Sequence, residues 1–154
     1  MRSRTGTVLG LTAVVWLLVG CTPWANYPPI EGAAAINNPN VPPIPILMAE
    51  AVEWMHENYG AEGDEIVLNL PPNTPATVYD RVIVRLKEGR PMTFGDGRAY
   101  HVTNVRVRTV QAEVDVIAPR ADGVHESTTL YFKNHLAKGW LVERLVDRLR
   151  QANA

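Results

Sequence analysis

The stretch VQAEVDVI, residues 110–117, decides the fold because its apolar and polar residues alternate. Successive side chains of a β-strand point to opposite faces of a sheet, so this pattern predicts a strand with one buried and one exposed face. The apolar face is formed by Val110, Ala112, Val114 and Val116. The polar face is formed by Gln111, Glu113 and Asp115. We therefore expect a sheet whose one face packs against the rest of the domain.

The segments around this stretch continue the strand pattern. Residues 100–108 alternate before it, and Pro119 stops it. Asp122-Gly123 then predicts a tight turn, because glycine accepts the positive φ that such turns need. Residues 127–133 return as the next strand, and the three segments together predict an antiparallel meander.

The end of the chain has two interpretations. A strand from Trp140 to about Val146, followed by a frayed or helical tail, is our prediction. The alternative is a helix, because several apolar residues of this segment also recur at helical spacing: Leu141, Val142, Leu145, Val146 and Leu149.

Two helices are predicted before the meander. In residues 45–59 the apolar residues recur at helical spacing, and Gly60 is placed to end the helix. The segment of residues 66–70 is short and rich in β-favouring side chains, which predicts a strand or an extended connection. Residues 74–88 predict a second helix with Thr74 as its N-cap, although alternation within this segment leaves a strand as the alternative.

This order of elements predicts an α+β domain over residues 44–154, with an antiparallel sheet of about four strands and one or two helices on one face. The order, with the closing stretch KGWLV at residues 138–142, resembles the small cystatin-like and NTF2-like domains of envelope lipoproteins. The resemblance implies an architecture only, because such folds host many unrelated activities.

Residues 1–20 have the three parts of a secretory signal peptide. Arg2 and Arg4 supply positive charge, an apolar run of about 13 residues follows, and the small residue Gly20 stands at the cleavage position. A helix of that length rises about 20 Å, which is less than the 30 Å or so of a bilayer's hydrocarbon core. Removal of the segment is therefore a better interpretation than a permanent span.

The stretch LVGC at residues 18–21 resembles the lipobox of bacterial lipoproteins. The resemblance implies that the thiol of Cys21 is alkylated by diacylglycerol, that the chain is cut after Gly20, and that palmitate or a similar acyl group is added to the new amino group. A thiolate is a far better nucleophile than a hydroxyl, which suits Cys21 to this chemistry. An ordinary signal peptide with an incidental cysteine, or an uncleaved anchor, is the alternative.

Residues 21–43 predict a lipidated tether. The segment is rich in proline and asparagine, which favour extended chain and turns over a sheet ladder. The alternative is that its apolar side chains pack on the domain or lie at the lipid surface: Trp24, Tyr27 and Ile30.

The charge balance excludes some partners. The chain has 15 Lys and Arg against 16 Asp and Glu, and loss of Arg2 and Arg4 leaves 13 against 16, a net charge of −3. Such a domain is expected to lack the basic footprint of nucleic-acid binding, and to have no polybasic face for anionic lipid.

The sequence contains little that indicates catalysis. Glu53 and His56 have a spacing seen in metal sites, but the second copy that a di-metal bundle needs is missing, so we expect no metal and no other cofactor. What remains for catalysis is a His-Asp or Tyr-Asp pair, for example His101 with Asp115, although nothing in the spacing shows that these two residues meet. Aromatic residues that could line a pocket around this pair, or equally fill the core, are Trp54, Tyr100, Tyr131 and Trp140.

Two functions remain open. The first is a non-catalytic envelope lipoprotein whose domain contacts another envelope component. The second is a small-molecule pocket, binding or catalytic, in a cystatin-like or NTF2-like domain. Thr22 is not the aspartate that resembles the inner-membrane retention signal of enteric-type bacteria. We therefore expect the outer membrane in a cell with two membranes, and the outer face of the plasma membrane otherwise.

Overall fold

The structure, a computed structural model, describes residues 22–61, 63–119 and 125–151. Over these residues the chain forms an α+β domain with two helices and an open, mixed sheet of eight strands. The predicted signal peptide, Gly20, Cys21 and the Asp122-Gly123 turn lie outside the described residues.

The helices are α1, Ile44–Tyr59, and α2, Ala76–Leu86. The strands are β1, Ala25–Tyr27; β2, Ala34–Ala35; β3, Val67–Asn69; β4, Arg90–Pro91; β5, Tyr100–Arg108; β6, Gln111–Pro119; β7, His125–His135; and β8, Gly139–Gln151.

Strands β5 to β8 pair in chain order and antiparallel, as the predicted meander requires. The prediction of about four strands describes this meander only, because four shorter strands extend the sheet beyond β5. Strand β8 continues to Gln151, so the predicted helical tail after Val146 is wrong. Val110 lies in the turn between β5 and β6 and is 50% exposed, so it does not belong to the buried face.

The outer edge of β5 is shared by two short strands. Strand β3 pairs parallel with its first part, where Leu68 lies opposite Tyr100. Strand β1 pairs antiparallel with its second part, where Tyr27 lies opposite Val105. Strands β2 and β4 add parallel neighbours to β1 and β3, so the sheet is mixed rather than antiparallel throughout.

Helix α1 confirms the helical spacing read from the sequence and begins one residue before the predicted start. One face is buried, and the backbone N–H of Gly60 donates to the carbonyl of His56 at 2.8 Å where the helix ends. The buried residues of this helix are Ile44, Pro45, Leu47, Met48, Ala49, Ala51, Val52 and Met55.

The segment around α2 is helical, so the alternative of a strand is wrong. Val78 and Val82, four residues apart, are fully buried, whereas Val84 is 78% exposed, which contradicts an alternating pattern. Thr74 is not the N-cap, because Pro75 takes that position and the Thr74 hydroxyl donates to the carbonyl of Pro71 at 2.6 Å.

Both helices join one buried cluster with a single face of the meander. Burial of apolar surface contributes about 25 cal/mol per Å², so this cluster is the main stabilising feature of the domain. The sheet residues in the cluster include Val102, Val105, Ala112, Val114, Val116, Leu130 and Phe132. The other face of the meander carries the alternate, polar residues.

The predicted tether differs from the structure where residues 25–27 and 34–35 form strands of the sheet. Tyr27 is only 6% exposed, and its hydroxyl lies 2.8 Å from Oγ1 of Thr74. Trp24 contacts the domain through Arg108, whereas Ile30 remains 49% exposed. The prolines misled the prediction because they flank the strand, at Pro23 and Pro28, and do not interrupt its ladder.

Candidate functional site

The polar face of the meander carries an ion-paired cluster around Arg106. Its Nε lies 2.8 Å from Oε2 of Glu113, and its two terminal nitrogens lie 2.8 and 2.9 Å from the carboxylate oxygens of Asp115. The hydroxyl of Thr129 donates to the same carboxylate at 2.6 Å. The three charged side chains are only 15 to 20% exposed although the helices pack on the other face.

The hydrogen bonds of this cluster connect three strands, β5, β6 and β7. Burial by itself would lower the pKa of Arg106, but hydrogen bonds and charge from Asp115 and Glu113 outweigh it and raise that pKa. Asp115, predicted as a candidate acid or base, is therefore engaged in orienting Arg106. Removing one charged side chain of such a pair leaves the other charge poorly compensated. The resulting loss in the free energy of unfolding is larger than the contribution of the intact pair.

A groove of about 440 Å³ lies beside this cluster on the same part of the sheet. Two guanidinium groups in it stack on aromatic rings. The Cζ atom of Arg108 lies 4.8 Å from the ring centre of Trp24, and that of Arg144 lies 4.1 Å from the ring centre of Tyr131. Arg108 also donates to Oε1 of Gln111 at 2.9 Å, so its position is held from two sides.

The lining of the groove carries two guanidinium groups, Arg108 and Arg144, and two carboxylates, Glu113 and Glu143. Its two carboxylates are already paired, Glu113 with Arg106 and Glu143 with Lys133 at 3.4 Å. Among the side chains that the structure describes, which exclude those of residues 147–151, no carboxylate lies within 4.0 Å of the guanidinium groups of Arg108 and Arg144. A guanidinium is a planar fork of donors that matches carboxylate and phosphate oxygens. The groove therefore suits an anionic ligand.

Trp54 and Trp140, two of the predicted pocket residues, line a different concavity of about 300 Å³ between α1 and the β7–β8 hairpin. Trp140 is only 8% exposed and belongs to the core cluster, and Trp54 contacts the ring of Tyr59 edge-on. The rim of this concavity is acidic, with Glu50, Glu53 and Glu57.

Tyr100 lies on the buried face, away from the groove, and is 4% exposed. Its hydroxyl lies 3.1 Å from Nδ1 of His56. Burial raises the pKa of Tyr100, and the charge of Asp64 adds to this effect while Arg98 opposes it. Tyr100 is thus a core residue that lines a separate small cavity of about 140 Å³ and not the groove or the concavity of Trp54 and Trp140.

His101 is held by an asparagine and not by the acid predicted to accompany it. The hydroxyl of Tyr79 donates to Oδ1 of Asn69 at 3.2 Å, so the amide nitrogen of Asn69 faces Nδ1 of His101, also at 3.2 Å. Nδ1 therefore accepts, which describes a neutral imidazole with its proton on Nε2. Burial and then the charge of His125 lower the pKa of His101.

The structure thus distributes the six predicted residues over separate places. Asp115 and Tyr131 lie at the groove or beside it, Trp54 and Trp140 share the second concavity, and Tyr100 and His101 belong to neither. Sequence reasoning missed Arg106, Arg108 and Arg144. The alternation of β5 carried a signal for the first two, since both occupy polar positions, but nothing in the sequence placed them beside Trp24.

No helix within residues 22–61, 63–119 and 125–151 is long and apolar enough to cross a membrane. In the same ranges, no three His, Cys, Asp or Glu side chains are grouped as a metal site would need. No protein family, curated protein or solved structure matches this chain.

Proposed function

We propose that this chain is a bacterial envelope lipoprotein, acylated at Cys21 after cleavage of residues 1–20, whose domain is a non-catalytic binding module. The sequence LVGC at residues 18–21 supports the anchor. Thr22 favours the outer membrane as the destination in a cell with two membranes. The resemblance to cystatin-like and NTF2-like domains stays a prediction and carries no part of this proposal.

The two guanidinium groups of the groove carry the binding part of the proposal. Arg108 and Arg144 lie against ring faces, which restricts their side chains before any ligand arrives and lowers the entropy lost on binding. The groove is open along the sheet, and its carboxylates are already paired. We infer that its ligand is an acidic segment of another envelope protein, bound by its carboxylates.

Replacement of Cys21 tests the anchor. Each buried methylene contributes about 0.8 kcal/mol, and one acyl chain gives only marginal attachment, so two or three chains should hold the protein on membranes through salt and alkaline washing. Cys21→Ser should abolish both palmitate incorporation and membrane attachment. A serine variant that is labelled and fractionates as the parent does would refute the lipobox interpretation.

Photo-crosslinking in cells tests the groove. A crosslinking residue at Gln111, which is exposed within the groove, should give a defined adduct that Arg108→Gln together with Arg144→Gln removes. The matched control is the same crosslinker at Asp80, which is exposed on α2. Equal adducts at both positions, or an adduct that persists without the two guanidinium groups, would contradict the assignment.

The concavity of Trp54 and Trp140 supports a second candidate function, the binding of a small cation. Glu50 is paired with Arg85 at 2.6 Å, but Glu53 and Glu57 lie on the rim beside the indole rings. A cation over an aromatic face is stabilised by the negative charge of that face. Titration of tryptophan fluorescence with tetramethylammonium should respond in the parent and not in Glu53→Gln with Glu57→Gln.

A further inference from the structure

Three chain segments meet at one end of the sheet, which we name the turn end. Strand β1 begins there, because Ala25 lies opposite Val107. The turn between β5 and β6 at residues 109–110 and the turn between β7 and β8 at residues 136–138 lie at the same end, since Gln111 pairs with Lys133. The N–H of Asn134 donates to the carbonyl of Val110 at 2.8 Å and ties the two hairpins together.

Both turns expose an apolar side chain. Val110 is 50% exposed, and Leu136 is fully exposed at 111%. Hairpin turns are ordinarily made of small or polar residues, which hydrogen-bond locally or accept unusual backbone angles. A single exposed apolar residue is ordinary. Two of them on neighbouring turns, at the same end of the sheet as the partly buried indole of Trp24, require an explanation.

The distance to Cys21 supplies that explanation. Ala25 is the fourth residue after Cys21, and an extended chain spans at most about 3.6 Å per residue, so the start of β1 at the turn end lies within about 14 Å of the residue proposed to be acylated. The domain therefore has no long tether. Whatever surface receives the acyl chains lies directly against this end of the sheet.

The basic residues at this end complement an anionic bilayer. Arg108 and Lys138 have no carboxylate within 4.0 Å among the side chains described for residues up to 146, whereas Lys133 is paired with Glu143. Attraction to lipid headgroups is screened over about 8 Å at physiological ionic strength, so these charges act only if the end lies close to the bilayer. The short link from Cys21 meets that condition.

We propose that the turn end, formed by Trp24, Val110 and Leu136 with Arg108 and Lys138, is a membrane-contacting surface that seats the domain on an anionic bilayer. The proposal rests on the lipid anchor proposed above. The apolar side chains enter the headgroup region, the indole lies at the interface where tryptophan is favoured, and the two cations face anionic headgroups. The domain is then held at two points, the acyl chains and the turn end, and has a defined orientation.

The experiment uses the acylated protein, purified from membranes and reconstituted in vesicles of phosphatidylcholine and phosphatidylglycerol. Acylation occupies Cys21, so a new cysteine can be labelled alone with an environment-sensitive fluorophore. Leu136→Cys reports on the turn end, and Val84→Cys, 78% exposed on α2, is the control. Neither side chain is buried, so both variants should fold. A spin-labelled lipid should quench the label at position 136 several-fold more than the label at position 84.

The charges are tested in the same vesicles. Arg108→Gln with Lys138→Gln should reduce quenching at position 136, and vesicles of phosphatidylcholine alone should do the same for the parent. Equal quenching at positions 136 and 84, or none at 136 in a chain whose mass shows acylated Cys21, would overturn this proposal and leave the anchor standing. A mass that shows unmodified Cys21 would overturn both.

Discussion

Gly89 has no room for a side chain. It has a φ of +102°, and a Cβ added there would lie 2.8 Å from the carbonyl oxygen of Ile66. That carbonyl accepts the N–H of Arg90 at 3.0 Å, so it cannot move without breaking the pairing of β3 with β4. We predict that Gly89→Ala destabilises the domain by about 1 to 3 kcal/mol, measured by denaturant unfolding.

Gly95 provides the matched control for this prediction. Its φ is +99°, but a Cβ added there would meet nothing within 4 Å. Gly95→Ala therefore places a side chain at an unfavourable positive φ but causes no steric clash. It should lower the free energy of unfolding less than Gly89→Ala does. Equal losses in the two variants would show that the close approach to Ile66 does not matter.

His101 makes stability depend on pH. Burial and the charge of His125 lower its pKa in the folded protein, whereas the unfolded chain titrates near 6.5. The unfolded state therefore binds more protons between these two values, and stability should fall as pH drops below about 6.5. Substitution of His101 by glutamine should flatten the pH dependence of the unfolding midpoint in this window.

Asn69 allows a sharper test of the same residue. Its amide donates to Nδ1 of His101, so NMR should show a neutral ring protonated at Nε2. Asn69→Asp puts an acceptor and a negative charge in that place, which favours the protonated imidazole and should raise the pKa of His101. An unchanged pKa in this variant would mean that Asn69 does not contact the ring in solution.

Among the elements, β1 is the hardest to predict from the sequence. Its three residues stand among prolines, and their strand geometry comes from pairing with β5, about 80 residues later in the chain. Helix α1 and strand β6, in contrast, have enough residues for their periodicity to show. The groove could not be predicted for the same reason, because Trp24 and Arg108 come into contact only when β1 pairs with β5.

Removal of β1 should destabilise the whole sheet. A shortened chain that begins at Val41 lacks the buried ring of Tyr27 and leaves the second half of the β5 edge unpaired. We expect a loss of about 3 kcal/mol or more, which shifts the thermal midpoint by about 10 °C in a domain of this size. The comparison is the unacylated chain that begins at Thr22, and equal midpoints would restore the interpretation of residues 22–40 as a dispensable tether.

Strand β8 contributes Trp140 to the contact with α1. Since Trp140 is only 8% exposed and belongs to the core cluster, Trp140→Ala should cost about 3 to 5 kcal/mol in denaturant unfolding. Its neighbour Leu141, 40% exposed, is the control, and Leu141→Ala should stay within about 1 kcal/mol. A mild Trp140→Ala would instead indicate that the indole lines an open pocket.

At the scale of the whole molecule, the groove lies close to the proposed lipid anchor. Trp24 lines the groove and is only three residues from Cys21, the proposed site of acylation, so the groove lies within about 11 Å of that residue. If Cys21 carries the proposed lipid anchor, a partner in the groove must reach the bilayer surface. This placement favours the membrane-proximal segment of another membrane protein over one that diffuses freely.

Separating anchor and domain tests this placement. Ten Gly and Ser residues inserted between Thr22 and Pro23 add a root-mean-square length of about 16 to 19 Å and leave Trp24 stacked on Arg108. We expect the adduct formed from the crosslinker at Gln111 to fall several-fold while the unfolding midpoint stays unchanged. The control is the same insertion at Gly63, an exposed site with open space around it, where the anchor keeps its length. An adduct that survives both insertions would mean that the partner reaches the groove without being held at the membrane, and an adduct lost in both would mean that the insertions disturb the domain itself.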